Sequence, residues 1–256
     1  MKITILTIFP EMFTSVLDAS ILGRARQAGL IETKVTDIRP YSALKHKNTD
    51  DYPFGGGAGM LMMAQPIADA IKAATPEGKA VKRVYMSPRG VPLTQALAQE
   101  LSGEEELILL CGHYEGVDQR VLDKYIDLEI SVGDYVLTGG EVAAMVLVDC
   151  VSRLVPGVLG SELSPCDESF SDAGLLEYPQ YTRPRVFEDM EAPEVLLNGD
   201  HKKIEAWRRE QALLATARRR PELLKKAALT EKDRAFLKQN GYSADIFDQG
   251  GQGLCR

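Results

Sequence analysis

The stretch of sequence that decides the fold is Ile130-Ser-Val-Gly-Asp-Tyr-Val-Leu-Thr-Gly-Gly-Glu141. An apolar run over 125–130 leads into it, and a strongly apolar helical pattern over 141–154 leaves it. Its three glycines allow a positive φ or the close approach of a ligand to the backbone. Open α/β sheets bind small molecules at turns of this kind, between a strand and a helix. A single such loop is more often a tight connection than a binding site. Whether this one binds a ligand therefore has to be judged together with the other loops of the sheet.

Two more loops of the same kind come earlier in the chain. A strand predicted over 81–86 ends in Ser87-Pro-Arg-Gly90, and a nearly all-apolar strand over 106–111 ends in Gly112-His-Tyr-Glu-Gly116. Together the three loops offer backbone groups, the aromatic rings of Tyr114 and Tyr135, and the carboxylate of Glu115. This set suits a ligand with a heteroaromatic ring and a positive centre. Each of these residues also has a plain structural interpretation, as a packing tyrosine or as a helix first-turn acid.

The remaining patterns predict an α/β fold with a mostly parallel sheet and helices on both sides. Further strands are expected over 2–9 and 30–38, and helices over 11–28, 64–74, 95–101 and 117–124, with Gly29 as a C-terminal cap and Thr94 as an N-terminal cap. Residues 39–63 form a long loop whose glycine-rich part, 53–59, lacks the Lys-Ser/Thr of a nucleotide-binding loop. Helices follow over 194–197, 201–219, 222–227 and 231–239. We expect a catalytic domain over 1–160, a linker or mobile lid over 161–172, and a small all-helical domain over 173–256.

Charge is distributed unevenly along this chain of 256 residues, whose net charge is −7. Residues 201–226 carry nine Lys or Arg against three Glu, a pattern typical of a phosphate-binding surface but also of a solvated helix. The four cysteines and three histidines have no zinc or disulfide spacing. The apolar run at the first residues is too short for a signal peptide, and no apolar run in the sequence is long enough to span a membrane. A soluble, cytoplasmic protein is expected.

Five motifs that occur in order carry a resemblance to a known family. They are Tyr85-Met-Ser-Pro88, Cys111-Gly-His-Tyr-Glu-Gly116, Ser131-Val-Gly-Asp-Tyr-Val-Leu-Thr-Gly-Gly140, Arg153-Leu-Val-Pro-Gly-Val-Leu-Gly160 and Leu175-Leu-Glu-Tyr-Pro-Gln-Tyr-Thr-Arg-Pro184. With them the chain resembles the bacterial tRNA (guanine-N1)-methyltransferases of the SPOUT superfamily, from the first strand to the C-terminal helices. The resemblance implies a mostly parallel sheet tied in a deep trefoil knot, an exception to the rule against threaded chains. It also implies a homodimer with a shared active site.

The resemblance further implies that the knotted loops hold S-adenosylmethionine, the methyl donor. Carried over by motif position, the cofactor-binding residues are Tyr85, Met86, Ser87, Pro88, Gly112, Tyr114, Glu115, Gly116, Ser131, Val132, Gly133, Asp134, Tyr135, Val136, Leu137, Gly139 and Gly140. No metal-ligand set is expected, and the sequence does not decide whether a divalent metal ion assists.

The implied reaction is methylation of N1 of the guanine immediately 3′ of the anticodon in a subset of tRNAs, which maintains the reading frame. Guanine N1 carries a proton that a carboxylate should remove, and a guanidinium can stabilise the charge that grows on O6. Arg153 matches the family's arginine, although a helix C-terminal cation is its plain interpretation. The family's base is an aspartate before a Ser-Phe pair, where this chain has Glu168. Glu168 is therefore the expected base, with Asp167 as the alternative because the extra methylene changes the geometry.

For tRNA, the resemblance points to His46 and Asp50 in the long loop, to Ser164 in the linker, and to the C-terminal helices. There Arg208, Arg218 and Arg219 would contact phosphates of the anticodon arm while the target base is extruded into the pocket. The sequence does not show which tRNAs are substrates.

Two other functions remain open from the sequence. One is a SPOUT methyltransferase that acts on ribosomal RNA or on a ribose oxygen, and the other is a non-catalytic RNA-binding protein that keeps the cofactor fold. The linker carboxylate and the context of Arg153 favour base methylation over ribose methylation, because a ribose-modifying enzyme needs no proton acceptor matched to a ring nitrogen.

Overall fold

A computed structural model of the chain describes residues 1–78, 80–160, 168–171 and 174–247. The chain divides into two compact units, Met1–Glu162 and Leu163–Arg256. Most of the expected linker, 161–172, lies outside the described residues, so its role stays a prediction. In the part of the chain that the structure describes, no helix is long and apolar enough to span a bilayer.

The N-terminal unit alternates strands and helices. Its strands are β1 (Lys2–Thr7), β2 (Glu32–Asp37), β3 (Asp50–Asp51), β4 (Leu61–Met62), β5 (Lys82–Pro92), β6 (Glu106–Cys111) and β7 (Leu128–Ser131). Its α-helices are α1 (Thr14–Leu17), α2 (Ser20–Gln27), α3 (Ala64–Ala74), α4 (Gln95–Ser102), α5 (Gln119–Tyr125) and α6 (Glu141–Ser152), with 3-10 helices over Pro10–Phe13 and Arg39–Tyr41.

A five-stranded sheet forms the centre of this unit, with the order β2-β1-β6-β5-β7. Every pairing in it is parallel, so the prediction of a mostly parallel sheet is confirmed. The all-apolar strand β6 lies in the middle and is buried along its whole length. Since parallel strands leave their carboxyl ends at one edge, the irregular part of β5 beyond Met86 and the loops after β6 and β7 meet there.

Helices cover both faces of the sheet, and the strand residues divide between two cores. Leu107 and Leu109 of β6 pack in one core with α2, α4 and α6. Ile108 and Leu110 pack in the other with α3 and α5. This alternation is the period-2 pattern of a strand buried on both sides.

The prediction of a single helix over 11–28 is wrong, because Ala19 has an extended backbone that interrupts the helix. Leu17 and Leu22 both pack in the same core. On one continuous helix, side chains five residues apart would point about 140° away from each other. The break brings both to the core. The expected cap at Gly29 is confirmed, since Gly29 has φ 71° and the Leu30 N–H donates to the carbonyl of Ala25.

Two further differences lie near the loops. Strand β5 continues past Met86 through the expected loop, with a register irregularity between Met86 and Val91 against β7. Gly90 is essential to that close pairing, since a Cβ there would lie 2.4 Å from the backbone of Glu129. The long loop over 39–63 also contains the short antiparallel hairpin β3–β4, whose two-residue strands are too short to show any periodicity.

The C-terminal unit is mainly helical. It contains the strands β8 (Val186–Phe187) and β9 (Met190–Glu191), the helices α7 (His201–Arg219), α8 (Pro221–Leu224) and α9 (Glu231–Gln239), and 3-10 helices over Glu194–Leu196 and Ala244–Ile246. The hairpin β8–β9 corrects the expectation of an all-helical domain over 173–256. A separate core forms around Leu213, Leu224, Leu237 and Phe247.

Three polar contacts connect the elements of this unit. Asp233 caps α9 by accepting from the Thr230 N–H, and Arg209 on α7 forms an ion pair with it at 2.9 Å. Burial alone would raise the pKa of Asp233, but the bonds from Arg209 and Thr230 outweigh it and hold the pKa below its usual value. The buried Thr216 accepts from the N–H of Leu176, so the segment before β8 is fastened to α7.

Candidate active site

The three loops at the carboxyl edge of the sheet line a cavity of about 550 Å³. It lies where the sequence predicts the methyl-donor site and is here called the donor cavity. All the residues expected to bind the cofactor line it except Asp134. They are Tyr85, Met86, Ser87, Pro88, Gly112, Tyr114, Glu115, Gly116, Ser131, Val132, Gly133, Tyr135, Val136, Leu137, Gly139 and Gly140. The structure thus brings together residues from three separate strand ends.

Sequence reasoning missed three polar residues that also line the cavity: Arg89, His113 and Gln119. Arg89 and His113 belong to the first and second of the three loops, so their position in those loops was the available signal. Leu61, on the hairpin β3–β4, lines the cavity as well. Nothing in the irregular sequence around Leu61 indicated this.

Close backbone contact explains the glycines at the end of the third loop. The Gly140 N–H donates to the carbonyl of Gly112 at 2.8 Å. A Cβ on Gly140 would lie 2.9 Å from the Cα of Cys111, and one on Gly112 would lie 2.6 Å from the hydroxyl of Tyr85. Gly140 has a φ of −79°, so it is needed for close approach and not for a positive φ.

The two tyrosines of the first and second loops differ in environment. Tyr85 is buried against the sheet, and burial, with a smaller contribution from Glu129, raises its pKa. Tyr114 is 46% exposed and has a φ of 57°. Its pKa is also raised, first by burial and then by Asp50. Asp50, one of the expected tRNA-binding residues, therefore lies beside a residue of the donor cavity.

The hairpin β3–β4 is fastened to the second loop. The Glu115 N–H donates to the carbonyl of Met60 at 3.0 Å, and the Met62 N–H donates to the carbonyl of Gly116 at 2.9 Å. Gly59 approaches Glu115 so closely that a Cβ there would lie 2.4 Å from the carboxylate. The glycine-rich segment over 53–59 is therefore not a nucleotide-binding loop of its own, but its last glycine packs against the rim of the cavity.

The candidates for the chemistry lie in different parts of the chain. Arg153 is partly buried at the C-terminal end of α6, where its N–H donates to the carbonyl of Asp149. Glu168 belongs to the C-terminal unit and lines a second cavity of about 350 Å³ with Tyr178 and Arg208. Asp167 and Ser164, expected as alternative base and as RNA-binding residue, lie outside the described residues.

The basic residues of the C-terminal unit are only partly available for a ligand. The guanidinium of Arg208 lies 4.9 Å from the ring centre of Tyr178. Arg218 donates from Nε to the hydroxyl of Tyr242 at 3.3 Å, and Arg219 is exposed. Arg209 is engaged with Asp233. In the N-terminal unit, His46 is exposed in the loop before β3.

Comparison with known proteins decides the family. The family model described as "tRNA (Guanine-1)-methyltransferase TrmD" matches residues 1–226. The chain belongs to this family. The match includes the donor cavity, Arg153, Glu168 and α7, whereas α9 lies beyond it.

Curated relatives agree over almost their whole length. A protein of Moorella thermoacetica is 54% identical over 93% of this chain and 96% of its own. One of Clostridium perfringens is 56% identical over 93% and 99%, and one of Ruminiclostridium cellulolyticum is 58% identical over 88% and 97%. All three are named tRNA (guanine-N(1)-)-methyltransferase.

Proposed function

We propose that this chain transfers a methyl group from S-adenosylmethionine to N1 of the guanine immediately 3′ of the anticodon in a subset of tRNAs, and so maintains the reading frame. The observation that carries the proposal is its family membership, with relatives more than half identical along nearly the whole chain. A tRNA substrate implies that the enzyme works in the cytoplasm.

The donor cavity has the features that S-adenosylmethionine requires. Its volume of about 550 Å³ is within the usual range for small-molecule sites. The loops offer backbone donors and acceptors for a base edge, exposed aromatic rings in Tyr114 and Tyr135 for stacking, and the Glu115 carboxylate for a positive centre. When bound, the donor supplies an electrophilic methyl group. The loops of this chain hold and orient it.

Proton removal is assigned to Glu168. The proton on guanine N1 must leave as the nitrogen bonds to carbon, and a carboxylate placed next to it can accept that proton. Glu168 stands directly before Ser169-Phe170, as the family's base does, and Asp167 is the alternative. Arg153 is assigned to the developing charge on O6, where a guanidinium stabilises an oxyanion best.

The RNA is assigned to three regions. His46 and Asp50 would contact it beside the donor cavity, and Ser164 from the linker. The basic segment, residues 201–226, would contact phosphates of the anticodon arm through Arg208, Arg218 and Arg219. Its nine positive residues against three negative ones support this. In this proposal, residues 1–160 are the catalytic domain, 161–172 the linker and 173–256 the tRNA-binding domain.

We also infer a homodimer and a knot. The homodimer rests on the family resemblance. Val142 and Val146, one helical turn apart on α6, are 47% and 46% exposed, and a second copy of the chain would bury both. The trefoil knot of the SPOUT superfamily is supported by the strand order, which places β5 between β6 and β7, and by the packing of Gly140 on Cys111.

Calorimetry followed by a transfer assay separates this function from the two alternatives. The purified protein is titrated with S-adenosylmethionine and then given tritiated donor with unmodified tRNA or with ribosomal RNA. The proposal expects binding and transfer to tRNA. Binding without transfer to either RNA would instead favour a non-catalytic RNA-binding protein, and transfer to ribosomal RNA alone would favour the other enzyme class.

A further inference from the structure

A buried carboxylate lies directly behind the donor cavity and has no role in the chemistry above. Glu141 is the first residue of α6 and follows Gly140, which lines the cavity, yet Glu141 itself is only 2% exposed. A buried carboxylate is costly unless other groups compensate it. The N-terminus of α6 compensates part of the charge. Residues from two other parts of the fold also face the carboxylate.

The first partner is Thr7, the last residue of β1. Its hydroxyl donates to Oε1 of Glu141 at 2.8 Å and accepts from the N–H of Phe9 at 2.9 Å. Thr7 is fully buried and does not line the cavity. Both hydrogen-bonding capacities of this hydroxyl are therefore used to connect β1 with α6 and with Phe9.

The second partner is His113, which lines the donor cavity. Its Nδ1 lies 3.8 Å from Oε2 of Glu141, so this nitrogen faces the carboxylate just beyond direct hydrogen-bonding distance. This nitrogen is buried and has no hydrogen-bond partner among the described residues. The ring is confined edge-on by Phe9 and Tyr114, at 4.8 and 5.0 Å between centroids.

Gly139 makes this arrangement possible. A Cβ there would lie 2.3 Å from Oε2 of Glu141 and 2.6 Å from Nδ1 of His113, so any side chain would separate the two groups. Gly139 also pairs with His113 as an antiparallel bridge. The second and third loops therefore meet where the imidazole faces the carboxylate.

We propose that Glu141 is a positioning residue for the methyl-donor site. Through Thr7 and His113 it holds the second and third loops against each other, and so fixes two walls of the cavity. This role rests on the proposed function, since it assigns the donor cavity to S-adenosylmethionine. Loss of the network should weaken donor binding and leave tRNA binding unchanged, because the network lies behind the donor cavity and includes none of the residues assigned to the RNA.

A matched pair at Thr7 tests the role without changing any residue of the cavity. Thr7→Val keeps the shape and removes the hydroxyl, whereas Thr7→Ser keeps the hydroxyl. We expect Thr7→Val to raise the Kd and KM for S-adenosylmethionine about tenfold. Its kcat at saturating donor and its KM for tRNA should stay within about twofold of the parent. Thr7→Ser should restore donor affinity, and Thr4→Val, a buried substitution on the same strand, should not affect it.

A double-mutant cycle tests independently whether Glu141 and His113 act together in donor binding. Glu141→Gln and His113→Gln should each weaken donor binding, and the double variant should bind no more weakly than the weaker single variant, because the two residues act as one unit. Fully additive losses, or equal donor affinity in Thr7→Val and Thr7→Ser, would overturn the role of Glu141. A parent protein that does not bind S-adenosylmethionine would instead overturn the proposed function.

Discussion

The donor cavity and the basic segment offer two different kinds of surface to the ligands proposed for them. In the cavity, the decisive contacts are between backbone atoms: Gly140 packs on Cys111 and donates to Gly112 at 2.8 Å. In the basic segment, the charges are carried by long side chains, and some of these already bond within the protein, as Arg209 does with Asp233. Binding to a surface built from backbone atoms should be lost when a single carbon atom is added to a glycine. Binding to a surface built from charged side chains should weaken gradually, as each charge is removed.

The largest effect is expected at Glu168, where a substitution should change the rate of methyl transfer without changing the binding of the donor or of tRNA. Glu168→Gln should lower turnover by about 10² to 10⁴-fold, because the amide cannot accept the N1 proton, while donor affinity stays that of the parent. Single-turnover methyl transfer and calorimetry measure the two quantities.

The matched control is Glu168→Asp, which keeps the carboxylate and should remain active. If Glu168→Gln is as fast as the parent, the proton is removed elsewhere. Asp167→Asn is then the next variant to assay.

A single methyl group should disable the backbone surface. In Gly140→Ala the new Cβ would lie 2.9 Å from Cα of Cys111, so the loops must separate. Overpacking of this kind costs about 1–3 kcal/mol, and donor affinity should therefore fall by about 10- to 100-fold. Gly160→Ala is the control, since a Cβ there meets nothing within 4 Å. Equal donor affinity in the two variants would contradict the account of the cavity.

A smaller and graded effect is expected in the basic segment. Reversing both Arg218 and Arg219 to Glu should weaken tRNA binding by about tenfold or more at low salt. It should also reduce the slope of log affinity against log salt by about 0.7 to 0.9 for each phosphate that the variant no longer neutralises. Donor binding should not change. Filter binding over a series of salt concentrations measures the slope.

Arg24→Glu with Lys34→Glu makes the same change of net charge at exposed positions of the N-terminal unit. Unchanged tRNA affinity in the Arg218 and Arg219 variant, or an equal loss in this control, would reject a specific role for the segment.

The smallest effect concerns stability alone. Asp233→Asn should lower the free energy of unfolding by about 1–3 kcal/mol at pH 7, since it removes the negative charge that pairs with Arg209 and that strengthens the bond from the Thr230 N–H. The folded-state pKa of Asp233 lies below its usual value of 3.8. Its contribution is therefore complete above about pH 4 and is lost as the pH falls through the folded-state pKa.

Thermal unfolding of the parent and the variant between pH 2 and pH 7 measures this. The two curves should converge at the acid end. Glu222→Gln, which breaks an exposed pair with Arg220, should change little. Curves that stay parallel over the whole range would contradict the assignment.

The sequence predicted the sheet, and the meeting of the loops that line the cavity, because both depend on local patterns. Apolar runs bounded by glycines marked the three strand ends, and parallel pairing then required their loops to meet. The resemblance added the residues within each loop, of which Asp134 alone does not line the cavity.

What the sequence did not show depends on contacts between distant residues. Thr7 and Glu141 are 134 positions apart, and no periodicity connects them. The break at Ala19 follows from packing Leu17 and Leu22 in one core, and a helical pattern does not show which residues must share that core. The hairpins β3–β4 and β8–β9 have strands of two residues, shorter than any strand signal.

Mapping the methylated nucleotide tests the central claim most directly. Unmodified tRNA is incubated with the protein and S-adenosylmethionine, digested, and analysed by mass spectrometry. The account predicts a single 1-methylguanosine, immediately 3′ of the anticodon, with its formation abolished in Glu168→Gln. A methyl group on a ribose, on another base, or at another position of the tRNA would contradict it.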